Sequence, residues 1–152
     1  MTTVPVVMAT PVLQSRLEEH LAALNLMKPD YCYFEVVQPV GRKYAKVSMR
    51  YVSHSHSNGL GDGGSVHLFV NRMTGDVYKP AGWNAPADGV RYRMADPVSW
   101  RALQAVGANP HEWSGGYLYA TGAAKYHAEV LGAPVAQVSF LGVAADAAID
   151  AR

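Results

Sequence analysis

Leucines at positions 13, 17, 21 and 24 recur at helical spacing, and the pattern predicts a helix with one apolar stripe. Thr10 is placed to cap it, Pro11 suits its first position, and Lys28 followed by Pro29 should end it near Met27. Gln14, Glu18 and Glu19 fall on the other face. From Tyr31 the period changes to two. In YCYFEVVQ, Cys32, Phe34 and Val36 alternate with Tyr31, Tyr33 and Glu35; in RKYAKVSMRYV, Ala45, Val47, Met49 and Tyr51 alternate with Arg42, Tyr44, Lys46, Ser48 and Arg50. That is the signature of strands with one core face and one wet face. PVG at 39–41 reads as the turn between them. Further strands are expected at 65–71 and 76–79, with Val66, Leu68 and Val70 facing the core. RMTG joins them, and Gly75 can supply a positive φ.

Past Lys79, PAGWNAPADGVRYRM is too rich in proline and glycine for a long element, and Trp83 is expected to pin it to the sheet edge or core. Asp96 and Pro97 should start a short helix that stops at Gly107. The remainder suggests a short helix at 122–131, an extended PVAQVSFLGV and a weakly helical end. The expected fold is α+β: an N-terminal helix packed on an antiparallel sheet of about four strands, with a short helix and a mixed C-terminal extension. Residues 1–119 form the core domain, and 120–152 form an extension or arm packed on the core or on a partner.

A chain of 152 residues can build one core without disulfide or metal staples. The single cysteine, Cys32, has no internal partner, which favours a reducing compartment. The apolar runs fall far short of the ~20 residues that span a bilayer, so no membrane partner is expected, and MTTVPVVMATP lacks the basic and apolar regions of a secretory signal. The net charge of +1 is uneven: residues 28–93 carry nine Lys/Arg against five Asp/Glu. A basic excess in the sheet-forming segment points toward an anionic partner.

If the alternation is followed literally, Tyr31, Tyr33, Arg42, Tyr44, Lys46, Arg50, His67, Phe69 and Tyr78 share the face opposite the helix. Aromatic rings interleaved with cations are what single-stranded nucleic acid requires, rings for bases and cations for phosphates. The competing reading is that the face is covered by the C-terminal segment or by a second subunit, and a one-residue bulge would exchange the faces. In SHSHSNGLGDGGSVH, His54 and His56 lie two apart and suit a divalent metal only with a further ligand from Asp62 or His67. The same HSHS is half of a two-histidine phosphoesterase signature, but VHLF and YHAEV lack the second hydroxyl. A mobile hairpin loop accounts for it better, and no cofactor is expected. No phosphate-binding loop, nucleophile elbow, paired Cys-x-x-Cys or His-Glu-x-x-His is present. Glu35 is expected to pair with Arg42 or Lys46 across the hairpin.

GRKYAKV, then SVHLFVNRMTGDVYKPAGWNAPADGVRY, then GGYLY resemble a set of small proteins encoded in tailed-bacteriophage genomes and without assigned function. The resemblance spans residues 41–119, and TGDVYK followed by WNAPADGVRY is its most specific part. It implies a phage product made in a bacterial host, located in the host cytoplasm or in the virion, and it implies no activity. The loop at 54–64 is longer than expected in that set, and the chain runs some 30 residues past GYLY. The leading expectation is a non-enzymatic accessory protein whose basic-aromatic sheet face binds nucleic acid or a host macromolecule. The alternative is a virion or assembly component that uses the arm and sheet face for contacts with phage proteins or further copies of itself. A small hydrolase built on His54 and His56 stands third.

Overall fold

The computed structural model describes residues 4–40, 43–52 and 62–135. Helix α1 (Pro11–Met27) starts where the sequence predicts. The Thr10 hydroxyl accepts the Leu13 N–H at 3.2 Å, Pro11 sits in the first turn, and Leu13, Leu17, Leu21 and Leu24 are buried. Gln14 departs from its expected place on the wet face, because it is buried. Its side-chain carbonyl accepts the N–H groups of Val7 and Met8 at 3.0 and 3.1 Å, while its amide donates to the Pro5 carbonyl and the Glu18 carboxylate. This folds the N-terminal segment back so that Val7 and Met8 join the core.

Among the described residues the sheet has five strands where about four were expected: β1 (Cys32–Val40), β2 (Tyr44–Tyr51), β3 (Asp62–Asn71), β4 (Asp76–Tyr78) and β5 (Tyr92–Arg93). They follow one another in sequence order, and each neighbouring pair is antiparallel. The fifth strand is two residues long in a segment dominated by turn formers, too short for any period to register. β1 runs through Pro39, beyond the expected start of the turn, with a register shift between Val37 and Val40. Gly75 does adopt the positive φ the turn requires, +78°, and a Cβ there would lie 2.6 Å from Leu13 Cδ2.

One irregularity decides which side chains share a face. Val47 pairs with Leu68, but Ser48 pairs with Val66, so β3 carries one extra residue at that point. A bulge of this kind re-aims the side chains on its near side. The result is that His67 turns to the helical layer beside Phe34, with ring centroids 4.8 Å apart, while Val66 lies opposite the outer residue Ser48. Both placements reverse the expectation drawn from simple alternation.

Helix α2 (Pro97–Val106) is capped by Asp96, whose carboxylate accepts the Ser99 N–H, and it ends at Gly107 as predicted. Two short 3₁₀ turns, Pro110–Ser114 and Gly116–Leu118, lead into α3 (Ala120–Leu131), which begins two residues earlier than expected. Residues 136–143 of the predicted extended stretch lie outside the described residues. A single core joins one sheet face, through Phe34, Val47, Leu68, Val70 and Tyr92, to Leu17 and Leu24 of α1, Leu103 of α2, Tyr117 and Ala123.

Both outer strands are closed by helix side chains. Asn25 of α1 accepts the Phe34 N–H at 2.8 Å and donates to the Phe34 carbonyl at 2.9 Å, taking the place of a neighbouring strand. At the other end the Ser99 hydroxyl accepts the Arg93 N–H at 2.6 Å. Replacing Asn25 with Ala removes two hydrogen bonds at a half-buried site, so the variant should lose about 1 to 3 kcal/mol of stability, seen as a lower urea midpoint at unchanged slope.

Candidate functional site

The outer sheet face is not the open basic-aromatic platform the alternation suggested. Tyr33, Tyr44, Lys46, Arg50, Phe69 and Tyr78 do share it, but much of it is covered. Phe69 is fully buried and Lys46 nearly so, because the 79–87 segment crosses the face as a strap. Its ends are drawn together by the Pro80–Pro86 bridge and by the Ala87 N–H on the Lys79 carbonyl. Lys46 Nζ donates to the Trp83 carbonyl at 2.8 Å and lies 5.3 Å from the centre of the Trp83 ring. Tyr44 meets Phe69 and Tyr78 edge-on. Arg50 pairs with Glu35 at 2.5 Å, so Glu35 takes a partner other than the two expected. Tyr31 leaves this group: it stacks on Tyr51 and meets Trp113. His67 faces the helices. Arg42, His54 and His56 lie outside the described residues.

What the strap leaves open is a groove beside it. β4 stops at Tyr78 and pairs with β3 only at Phe69 and Val70, since Pro80 cannot continue a ladder. Beyond that point Ser65 and Val66 of β3 face Pro80 across two adjoining hollows. One, of about 230 Å³, is walled by Ala81, Gly82 and Trp83; the other, of about 180 Å³, by Lys79, Ser114, Gly115 and Tyr119, with His67 at its base. Trp83 is 57% exposed and Tyr119 is 56% exposed. Each has a lysine over its ring, Lys46 for Trp83 and, at 4.9 Å, Lys79 for Tyr119. The sequence marks Trp83 as an anchor and gives no separate signal for Lys79 or Tyr119, although both lie in TGDVYK and GGYLY. A larger hollow of about 460 Å³ lies between α1 and β1, but its lining is mostly apolar and Asn25 already occupies the strand edge there.

Beneath the groove runs a buried polar chain. The Tyr117 hydroxyl sits 2.8 Å from His20 Nε2 and 2.7 Å from His67 Nε2, and its carbonyl accepts the Tyr92 hydroxyl at 2.9 Å. Burial lowers His20 to a pKa of about 4, and burial together with His20 lowers His67 to about 3. Burial also raises the Tyr117 and Tyr92 phenols well above their ordinary value. All four groups are therefore neutral at pH 7. A second chain runs from the Arg93 N–H to Ser99, from the Ser99 hydroxyl to His127 Nε2 at 2.8 Å, and from His127 Nδ1 to the Ala123 carbonyl at 2.7 Å. The backbone ends fix its polarity, so His127 is protonated at Nδ1 and accepts at Nε2. A serine beside a histidine invites a nucleophilic reading, but Ser99 is fully buried at the sheet edge and its oxygen is committed.

A family model matches residues 3–120. The chain belongs to DUF7717, a family of unknown function. No curated protein and no solved structure matches it. The DUF7717 region takes in the whole sheet, α2, both walls of the groove and the His20–Tyr117–His67 chain, and it ends where α3 begins. Among the described residues of this DUF7717 chain, no group of three or more His, Cys, Asp or Glu could hold a metal ion, and no helix is long and apolar enough to cross a membrane.

The buried histidines make the DUF7717 fold acid-sensitive. Their folded pKa values lie below the unfolded value of about 6.5, so the unfolded chain binds more protons as the pH falls. Stability is whole above pH 6.5 and is lost as the pH falls from there toward 4. Urea titrations at pH 7.5 and 4.5 should differ by several kcal/mol, with a two-proton slope between them. Tyr117→Phe removes the shared partner of both imidazoles and should cost about 2 to 5 kcal/mol at pH 7.5.

Proposed function

We propose that this protein is a non-enzymatic nucleic-acid-binding accessory protein, and that its ligand is a single strand held along the groove between Trp83 and Tyr119. The observation that carries the reading is the pair of half-exposed rings at the two ends of one groove, each backed by a lysine. Lys46 is buried and bonded to the Trp83 carbonyl, so its part is to hold the indole while the outer ring face stays available for a base. Stacking of this kind accepts any base, because every base has a π-face. Lys79 has no carboxylate partner among the described residues, and it supplies charge for a phosphate. The groove replaces the broad sheet face as the working surface, and the nature of the ligand is unchanged by that move. On this proposal, which the resemblance to tailed-phage proteins supports, the chain acts in a phage-infected bacterial cell.

The test is fluorescence anisotropy with labelled single-stranded RNA and DNA at low and physiological salt. Binding should weaken with salt, and Trp83→Ala should reduce affinity about tenfold or more, since stacking contributes about 1 to 3 kcal/mol per base. Lys79→Gln should lower the salt slope by about 0.7, the amount for one phosphate contact on a single strand. No binding, together with a stable oligomer in which Trp83 is shielded from a fluorescence quencher, would replace this reading with that of an assembly component.

A further inference from the structure

The smaller hollow contains a detail that base stacking does not use. His67 is more than nine-tenths buried, its Nε2 is bonded to Tyr117, and its Nδ1 has no hydrogen-bond partner among the described residues. The Cε1 and Nδ1 atoms of that ring are the ones nearest Gly115, at 3.6 and 3.8 Å from where a Cβ would stand, and Gly115 and His67 both line the hollow. An unpartnered polar atom therefore sits at the floor of a small recess. Ser65 and Ser114 hydroxyls and the Lys79 ammonium are in its walls.

The buried chain offers that atom a proton. The Tyr117 hydroxyl has one proton and faces two imidazole nitrogens, so one histidine donates to it and the other accepts from it. His20 Nδ1 also has no partner among the described residues, and the His20 ring is buried away from the recess. With the His20 proton on Nε2, donating to Tyr117, the Tyr117 proton is left for the other imidazole. Tyr117 then donates to His67 Nε2, and the His67 proton stands on Nδ1, at the recess. The Ser65 hydroxyl, one imidazole N–H and one ammonium can donate, the Ser114 hydroxyl already donates to the His111 carbonyl at 3.2 Å, and no carboxylate lines the recess.

We propose that this recess is a phosphate subsite, in which His67 Nδ1–H, Ser65 and Lys79 donate to the oxygens of one phosphate group, joined by Ser114 once its hydroxyl turns from the His111 carbonyl. It rests on the reading of the groove as a nucleic-acid site and adds to it the position of one phosphate, next to the base held on Trp83. Three donors, with Ser114 as a fourth after that turn, favour a terminal phosphate monoester over an internal diester, which offers fewer free oxygens.

The experiment is nitrogen-detected NMR of the full chain labelled with ¹⁵N-histidine. In the free protein, His67 should be protonated at Nδ1 and His20 at Nε2. Inorganic phosphate should shift the His67 Nδ1 resonance saturably, with affinity reduced roughly tenfold in Lys79→Gln and in the double variant Ser65→Ala, Ser114→Ala, whose positions are exposed or half-buried and leave the core intact. A 5′-phosphorylated oligonucleotide should reproduce the shift and bind more tightly than its unphosphorylated twin. His67 protonated at Nε2, or a His67 signal unmoved by phosphate while Trp83-dependent strand binding persists, would overturn the subsite and leave the groove reading standing. A saturable shift with inorganic phosphate but no strand binding would keep the recess as a site for a free phosphate and remove the groove reading.

Discussion

The Tyr117 hydroxyl, held between two buried imidazoles, is the contact on which the rest of the molecule depends. It joins three elements distant in sequence: α1 through His20, β3 through His67, and the 3₁₀ turn that carries Tyr117 itself. The carbonyl of the same residue receives the Tyr92 hydroxyl, which adds β5. In a low-dielectric interior each of these polar groups would be costly alone, and together they satisfy one another. Because the partners are directional, the arrangement fixes where the Gly116–Leu118 turn stands over the sheet, and so where Tyr119 and Ser114 stand in the groove.

The strap performs a similar service on the other face. A sheet with Phe69, Tyr44 and Tyr78 on its outer side would expose a large apolar patch, and a segment carrying Pro80, Gly82 and Pro86 is well suited to cross it without forming an element of its own. Covering the face buries Lys46, which is tolerated because the ammonium finds both a carbonyl and the face of an indole. The strap thereby turns a sheet surface that reads as basic and aromatic into a narrower groove along its own margin.

Much of the architecture was legible because its signals are local. Thr10–Pro11 and Asp96–Pro97 mark helix starts by capping chemistry that acts within four residues, and Gly75 marks a turn by a backbone angle that only glycine adopts freely. The candidate site was less legible because it depends on one residue of register. Up to Leu68 the period-two reading of β3 holds; the bulge then sends His67 inward and Val66 outward, and nothing in VHLFV distinguishes the two outcomes. Gln14 is a second instance. On a helical wheel it belongs with Glu18 and Glu19, and only the return of the N-terminal segment over α1 gives its amide three backbone groups to bind. Trp83 and Tyr119 were hidden for a third reason, since they come to stand at the two ends of a groove that exists only once the strap is folded.

The two side chains that close the sheet, Asn25 on β1 and Ser99 at β5, also govern how copies of this chain can meet. A row of unpaired backbone groups on an outer strand is a template on which a second molecule can extend the sheet, and repetition of that step leads to fibres. Here the first half of β1 already holds, at Phe34, an amide that imitates a neighbour's backbone, and the far end offers two residues of which Arg93 gives its N–H to a hydroxyl. At these two positions edge-to-edge growth, which would have no natural end, meets a side chain instead of an open backbone, and contacts between copies there fall to side-chain surfaces.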